Sequence, residues 1–280
     1  MKPIEVEKSL GQEGGLAPAL GAAIVRAPAS SFAEGLTTVE LGAPDYDKAL
    51  RQHAAYCDAL ERCGLTLTRL DPDERFPDST FVEDTAVVLA ALPGGKPAPI
   101  LTRPGASNRA GEVATIAEVL SQSFPDLRSI EPPGTLDGGD VCEAGNHFFI
   151  GISERTNEAG AQQLSKILAS FNYTSSFIDI RGTKNILHLK SGLAYLGDNR
   201  LAVIDELASH TAFRTFELVN VPASEQYAAN CVRINDYILI AAGYPQFERK
   251  LGELGYATIA IEMSEFQKMD GGLSCLSLRY

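Results

Sequence analysis

TLDGGDVCEAGNHFFIGI, residues 135–152, holds the reading on which the fold turns. Two acids and two glycines lead into VCEA, Gly145-Asn146 reverses the chain, and HFFIGI runs back, so the segment reads as a polar lead-in followed by a β-hairpin. The same order recurs on either side. FPDST (76–80) leads into a strand-like run over 81–91, and HLKSG (188–192) into 193–204 with a turn at Gly197-Asp198-Asn199. YAAN (227–230) leads into 231–241 with a turn at Asn235-Asp236, and Asp270-Gly271-Gly272 opens a last strand over 273–280. Between these pieces apolar residues return at helical spacing. They do so over 46–63 (Leu50, Ala54, Tyr56, Cys57, Leu60) with a stop at Gly64, over 106–122 and 157–171, and more briefly over 206–212 and 245–254.

The lead-ins return every roughly 40–55 residues, a spacing at which repeat architectures must be considered. The class is α/β, and periodicity leaves two architectures open. One is an open α/β sheet. The other is a closed ring, in which the C-terminal strand completes a unit begun by AAIVRAP (22–28). Residues 1–20, with Gly11, Gly14, Gly15 and Pro18, read as a tail or arm, and 21–280 as a single domain.

The 280 residues are 45% apolar and 21% charged, unlike a disordered, fibrous or membrane-spanning chain. Twenty-four Lys and Arg against 36 Asp and Glu give a net charge of −12 with no basic cluster, which argues against nucleic acid or an anionic membrane as partner. The cysteines, at 57, 63, 142, 231 and 275, are odd in number and form no CxxC pair, so a reducing compartment is expected rather than a disulfide framework. MKPIEVEKSL lacks the apolar core of an export signal, and the reading is a cytoplasmic protein. A homodimer is the base-rate expectation for its assembly.

Dinucleotide, P-loop and nucleophile-elbow glycine motifs are absent, as is HExxH. His53, His147, His188 and His210 are scattered, and neither a metal nor an organic cofactor is expected. What remains is polar chemistry in the lead-ins. Asp78, Glu83 and Asp84 crowd into PDSTFVED, Asp137 and Asp140 flank two glycines, His188 stands between leucines, and Cys275 follows Gly271-Gly272 closely. Taken singly, each has an ordinary structural reading: a buried cysteine, a core histidine, solvated acids. In a ring, every lead-in points at one axis and these groups meet. A thiolate is then the nucleophile, an imidazole moves protons, and carboxylates hold a planar guanidinium through paired hydrogen bonds.

Several long motifs carry a resemblance: ERFPDSTFVEDTAVV, ILTRPGASNRAGE, TLDGGDV, GISERTNEAG, LHLKSGLAYL, YAANCV and DGGLSCLSL. In this order, from about Ala22 to Tyr280, they are similar to those of the dimethylarginine dimethylaminohydrolase family, its compact bacterial members in particular. The resemblance implies a five-bladed α/β propeller, the pentein fold, made of ββαβ-type repeats closed into a ring. It implies hydrolysis of N-omega-methylated arginines to citrulline and methylamines through a Cys S-alkylthiouronium, with water as second substrate. By the same resemblance Cys275 is the nucleophile, His188 the acid and base, and Asp137 the acid that orients it, at a position where some relatives carry Glu. Glu83 and Asp84 would hold the guanidinium nitrogens. Arg109 and Arg155 would hold the α-carboxylate and Asp78 the α-ammonium, with backbone help from Leu36 and Met269. Residues 28–38 would form a lid hinged at Gly35. Ala110 departs from the pattern, since relatives often carry a second basic residue there.

Two rival readings accompany this one. An arginine deiminase or other guanidino hydrolase could use the same groups, although the deiminases of this superfamily carry an inserted helical domain for which 280 residues leave no room. A non-catalytic propeller that binds a macromolecule would be expected to have lost the nucleophile, and Cys275 is present.

Overall fold

The computed structural model describes residues 19–89 and 97–280. In chain order the strands and helices are β1 (Ala22–Arg26), α1 (Tyr46–Arg62), β2 (Thr66–Leu70), β3 (Ala86–Leu89), β4 (Ala98–Leu101), α2 (Glu112–Ser121) and β5 (Arg128–Ser129). There follow β6 (Val141–Ala144), β7 (His147–Ile152), α3 (Glu158–Ser170), β8 (Thr174–Asp179), β9 (Leu193–Gly197), β10 (Arg200–Val203), α4 (Asp205–Ala208) and β11 (Glu217–Asn220). The last are β12 (Val232–Ile234), β13 (Tyr237–Ala241), α5 (Pro245–Glu253), β14 (Ala257–Ile261), α6 (Ser264–Gln267) and β15 (Leu278–Arg279).

They form five three-stranded sheets of one pattern: β3-β4-β5, β6-β7-β8, β9-β10-β11, β12-β13-β14 and β15-β1-β2. The first two strands of each sheet pair antiparallel, and the third pairs parallel to the second after a helical crossover. The turns follow the sequence. Gly145 (φ 67°), Asp198 (φ 50°), Asn199 (φ 59°) and Asn235 (φ 51°) occupy the left-handed region that a tight hairpin requires. A parallel pair cannot be closed by a tight turn, so each third strand waits for its crossover. The middle strands β1, β7 and β13 are covered on both faces and accordingly read as nearly unbroken apolar runs, whereas β2 is largely solvent-facing.

Local signals set the helix ends. The Asp45 carboxylate accepts from the Lys48 N–H at 2.8 Å, and Gly64 (φ 92°) follows the other end of α1. Asn157 Oδ1 accepts from the Gly160 N–H at 2.8 Å and starts α3. The cores lie between sheets and helices. Ala161, Leu164 and Leu168 of α3 pack with Phe148 and Ile150 of β7, while Tyr56 and Leu60 of α1 join a layer with Leu239, Ile259 and Ile261.

β15 is the first strand of the sheet that β1 continues, with Ala23 opposite Arg279 and Ile24 opposite Leu278, so the ring reading holds over the open sheet. Two strand expectations are corrected at the axis. Residues 81–91 and 273–280 were expected as continuous strands, but Val82–Thr85 and Ser274–Leu276 are 3₁₀ turns, and strand begins only at Ala86 and Leu278. Gly138–Asp140, Leu189–Ser191 and Ala223–Ala229 are likewise 3₁₀, so all five first strands are approached through such a turn. Thr85 Oγ1 donates to the Val82 carbonyl at 2.7 Å and supports one of them. The helix expected over 206–212 is the short α4 followed by a 3₁₀ turn, Thr211–Phe213. His210 Nδ1 there accepts from the Ala212 N–H at 3.2 Å, a side-chain contact that competes with helix continuation. Of the expected tail, residues 1–18 lie outside the described residues, as do Ala90 and Ala91 of the run over 81–91. Among the described residues no helix is long and apolar enough to cross a membrane.

Gly160 tests this packing, because a Cβ there would stand 2.0 Å from the Thr135 carbonyl oxygen. Gly160→Ala gains about 1 kcal/mol of helix propensity, but overpacking against backbone costs about 1–3 kcal/mol. The expected result is a lower urea midpoint with an unchanged m-value; a raised midpoint would show that α3 can move away from the loop before β6.

Candidate active site

The 3₁₀ turns bring lead-ins that are far apart in the chain to one cavity. Cys275, His188, Asp84, Asp78, Arg109 and Arg155 line it, and Leu36 and Met269 cover it. Two residues expected here are not in its wall. Asp137 lies fully buried behind His188, and Glu83 points away into its own charge cluster.

His188 Nε2 stands 3.1 Å from Asp137 Oδ2, and its ring packs over Gly139, where a Cβ would meet Nδ1 at 2.7 Å. Asp137 is itself held by the Gly105 N–H at 2.7 Å, and Arg155 Nη1 is 3.9 Å from it. Burial alone would keep the imidazole neutral, but the carboxylates of Asp84, Asp137 and Asp140 outweigh it and raise the His188 pKa to about 9. The folded state therefore favours the imidazolium. The stability this contributes is complete below the unfolded value of about 6.5 and is lost as pH rises through about 9.

Cys275 occupies the 3₁₀ turn Ser274–Leu276 and is the one described cysteine that is not fully buried. Burial, followed by the charges of Glu83 and Asp84, pushes its thiol up to about 12. The surroundings thus favour a thiol at Cys275 and an imidazolium at His188.

Asp84 is the meeting point of the charges. Arg109 Nη1 donates to it at 2.6 Å and the Gly139 N–H at 2.8 Å. Burial opposes its ionisation, but His188 and Arg109 overcome this and hold its pKa at about 2. Arg109 is bound on every side, with Glu112 accepting at 2.8 Å and the carbonyls of Asp78 and Phe81 at 3.3 and 3.1 Å. Arg155 makes fewer contacts. Glu83 is taken at both oxygens, with Lys190 at 2.7 Å and Arg279 at 3.0 Å on Oε1 and the Ser274 hydroxyl at 2.7 Å on Oε2.

The segment through Leu36 is strapped over the cavity. The Leu36 N–H donates to both oxygens of Asp78 at 3.1 Å, the Thr38 N–H and hydroxyl donate to Asp270, and Thr37 Oγ1 donates to the Lys268 carbonyl. Gly35 makes this approach possible, since a Cβ there would stand 2.4 Å from Asp78 Oδ1. With this segment in place the cavity is about 20 Å³, roughly the room a single water needs.

Asp84, Asp137 and His188 also bring donor atoms within 4.8 Å of one another, as a metal ion would require. Arg109 and Arg155 compete for the same carboxylates, and the cluster as built faces guanidinium cations. Sequence reasoning missed Phe81, Leu187, Asp270 and Gly271 in the wall, the buried partners Glu112 and Asn230, and the partly buried Lys190. Their placement inside the motifs quoted above was the available signal.

Comparison with known proteins bears on the family and the fold. A family model described as arginine deiminase matches residues 117–238. The chain is 44% identical over 258 residues to the N(G),N(G)-dimethylarginine dimethylaminohydrolase of Pseudomonas aeruginosa, covering 92% of this chain and 98% of that protein. It is 35% identical to the protein of the same name from Streptomyces coelicolor, covering 92% and 96%. The solved structure of a cysteine-to-serine variant of the Pseudomonas protein, complexed with citrulline, superposes with a TM-score of 0.88 at 43% identity, over 94% of this chain and all of that one. The N-terminal domain of a cyanobacterial arginine dihydrolase superposes with a TM-score of 0.82 over 94% and 97%, and at 18% identity it shares the fold alone.

The His188 pKa provides a test of the site. Replacing Asp137 with Asn removes the hydrogen-bonded charge, and the pKa read from the imidazole NMR signals is expected to fall from about 9 by roughly 1 unit or more. An unmoved titration would take Asp137 out of the role of orienting acid.

Proposed function

The chain belongs to the dimethylarginine dimethylaminohydrolase family, and from that premise we propose that it hydrolyses N-omega-methylated arginines to citrulline and a methylamine. The observation that carries this reading is a cysteine and a histidine facing one carboxylate-lined cavity in a chain 44% identical to the Pseudomonas protein. Similar solved structures include the citrulline complex of a cysteine-to-serine variant of that protein and, at 43% identity to this chain, an adduct of a histidine-to-glycine variant of a dimethylarginine dimethylaminohydrolase with S-methyl-L-thiocitrulline.

The chemistry follows from the charges. A guanidinium entering beside Asp84 and Cys275 supplies the positive charge that the resting thiol lacks, which favours loss of its proton to solvent. The thiolate attacks the guanidinium carbon. The His188 imidazolium gives its proton to the methylated nitrogen, the C–N bond breaks, the methylamine leaves, and an S-alkylthiouronium remains. Neutral His188 then takes a proton from water as the oxygen adds to the same carbon. Collapse breaks the C–S bond, the hydroxyl proton returns to sulfur, and citrulline is released. Asp137 keeps the imidazole ring oriented through both proton transfers. Arg155, with a cation less fully committed than that of Arg109, is the better placed to receive the α-carboxylate, and Asp78 receives the α-ammonium once Leu36 lifts.

Glu83 has a different part from the one its neighbour suggests. Its oxygens are committed to Lys190, Arg279 and Ser274, so it supports the turn of the nucleophile while Asp84 faces the substrate.

A mass-resolved assay with asymmetric dimethylarginine and, separately, arginine tests the reading. Citrulline and dimethylamine from the first substrate alone are expected. Ammonia from arginine would make the protein a deiminase with the same groups, and no product from either would overturn the proposal. Cys275→Ser is expected to lose more than about 10³-fold in kcat, because a hydroxyl in this site has no strong base to activate it.

A further inference from the structure

The sheet β12-β13-β14 adds nothing to the wall of the cavity, since no residue between 193 and 268 lines it. Its lead-in, the YAAN motif, is nevertheless spent on the groups that do. Tyr227 Oη donates to the Gly271 carbonyl at 2.8 Å. Asn230 Oδ1 accepts from the Ser274 N–H at 2.9 Å, and its Nδ2 donates to Ser274 Oγ at 3.1 Å and to the Lys190 carbonyl at 2.9 Å. The side chain is 7% exposed and uses its acceptor and its amide donors on two different turns. One, Ser274–Leu276, carries Cys275; the other, Leu189–Ser191, begins at His188. Those turns belong to the neighbours on either side in the ring. Glu83 joins them a second time, but through the flexible Lys190 ammonium and the Ser274 hydroxyl. Asn230 alone of these two reaches backbone on both turns. The contact is tight on the side of the nucleophile, where a Cβ on Gly272 would stand 2.5 Å from Asn230 Oδ1.

We propose that Asn230 is a positioning residue that fixes where Cys275 stands relative to His188, and that it touches neither substrate nor reacting atoms. The inference rests on the methylarginine reading given above. The groups that would hold the amino-acid end of the substrate, Asp78 and Arg155, have no contact with Asn230, so loss of the clamp misplaces attack and proton transfer while leaving recognition in place. A displacement of about 1 Å between reacting groups costs on the order of 10²-fold in rate.

The experiment compares wild type with Asn230→Ala and Asn230→Asp. The aspartate retains the acceptor for Ser274 but cannot donate to the Lys190 carbonyl. For both variants kcat with asymmetric dimethylarginine is expected to fall about 10²-fold, with KM within about threefold of wild type. Inactivation by a chloro-amidine, which needs both Cys275 and His188, is expected to slow by a similar factor, whereas labelling of Cys275 by neutral iodoacetamide stays within about threefold. If Asn230→Ala lowers the thermal midpoint severely, Asn230→Asp decides. Retained kcat in a folded variant, a loss confined to KM, or equal slowing of both labelling reactions overturns the proposal. Failure of the parent reading is separate: wild type would then not turn over dimethylarginine, while the two labelling reactions would still report on the clamp.

Discussion

Asp84 is an ionised carboxylate sealed at the centre of the ring, and much of the molecule is arranged to keep it charged. A buried anion is costly unless it is paired and its lone pairs are satisfied. Its partners come from separate sheets and loops: Arg109 from the loop before α2, the Gly139 N–H from the turn before β6, and the His188 charge from the turn before β9. No local stretch of chain could provide them together. A closed ring can, because it directs every lead-in to one axis. The fold and the charge pattern are in this sense one solution.

The same centre explains how a thiol with a pKa pushed up to about 12 can belong to a nucleophile. Burial, followed by the charges of Glu83 and Asp84, holds Cys275 protonated, and a cation bound beside Asp84 would offset that. Under the proposed mechanism nucleophile and recognition site are linked through charge: the ion that is recognised is the ion that permits attack. A permanently reactive thiolate would need a permanently positive surrounding, which would repel a guanidinium.

Much of this was legible in the sequence. Hairpin turns announce themselves through Gly, Asn and Asp at positive φ, and α1 and α3 through period and caps, so the five units could be counted. The ring itself needed the resemblance, because period alone fits an open sheet equally well. The 3₁₀ turns were not legible. Three or four residues carry no periodicity, and Val82–Thr85 looks like strand because it is buried. The turn also separates Glu83 from Asp84, to which the resemblance gave one shared task. At three residues per turn successive side chains diverge by about 120°, so one meets the cavity and the other a lysine and an arginine behind it. The motif YAANCV marked Asn230 but not its role, since its partners lie 40 and 44 residues away in opposite directions along the chain.

The two rungs between β1 and β15 have a kinetic meaning. They join residues about as far apart as the described chain allows, Ala23 with Arg279 and Ile24 with Leu278. Pairings of such long range must overcome the largest loop-closure entropy before they yield any stabilisation. The other four sheets are assembled from strands adjacent in sequence and face no such barrier. The turn that carries Cys275 lies directly before β15, so the same end of the chain that closes the circle also brings the thiol to the cavity.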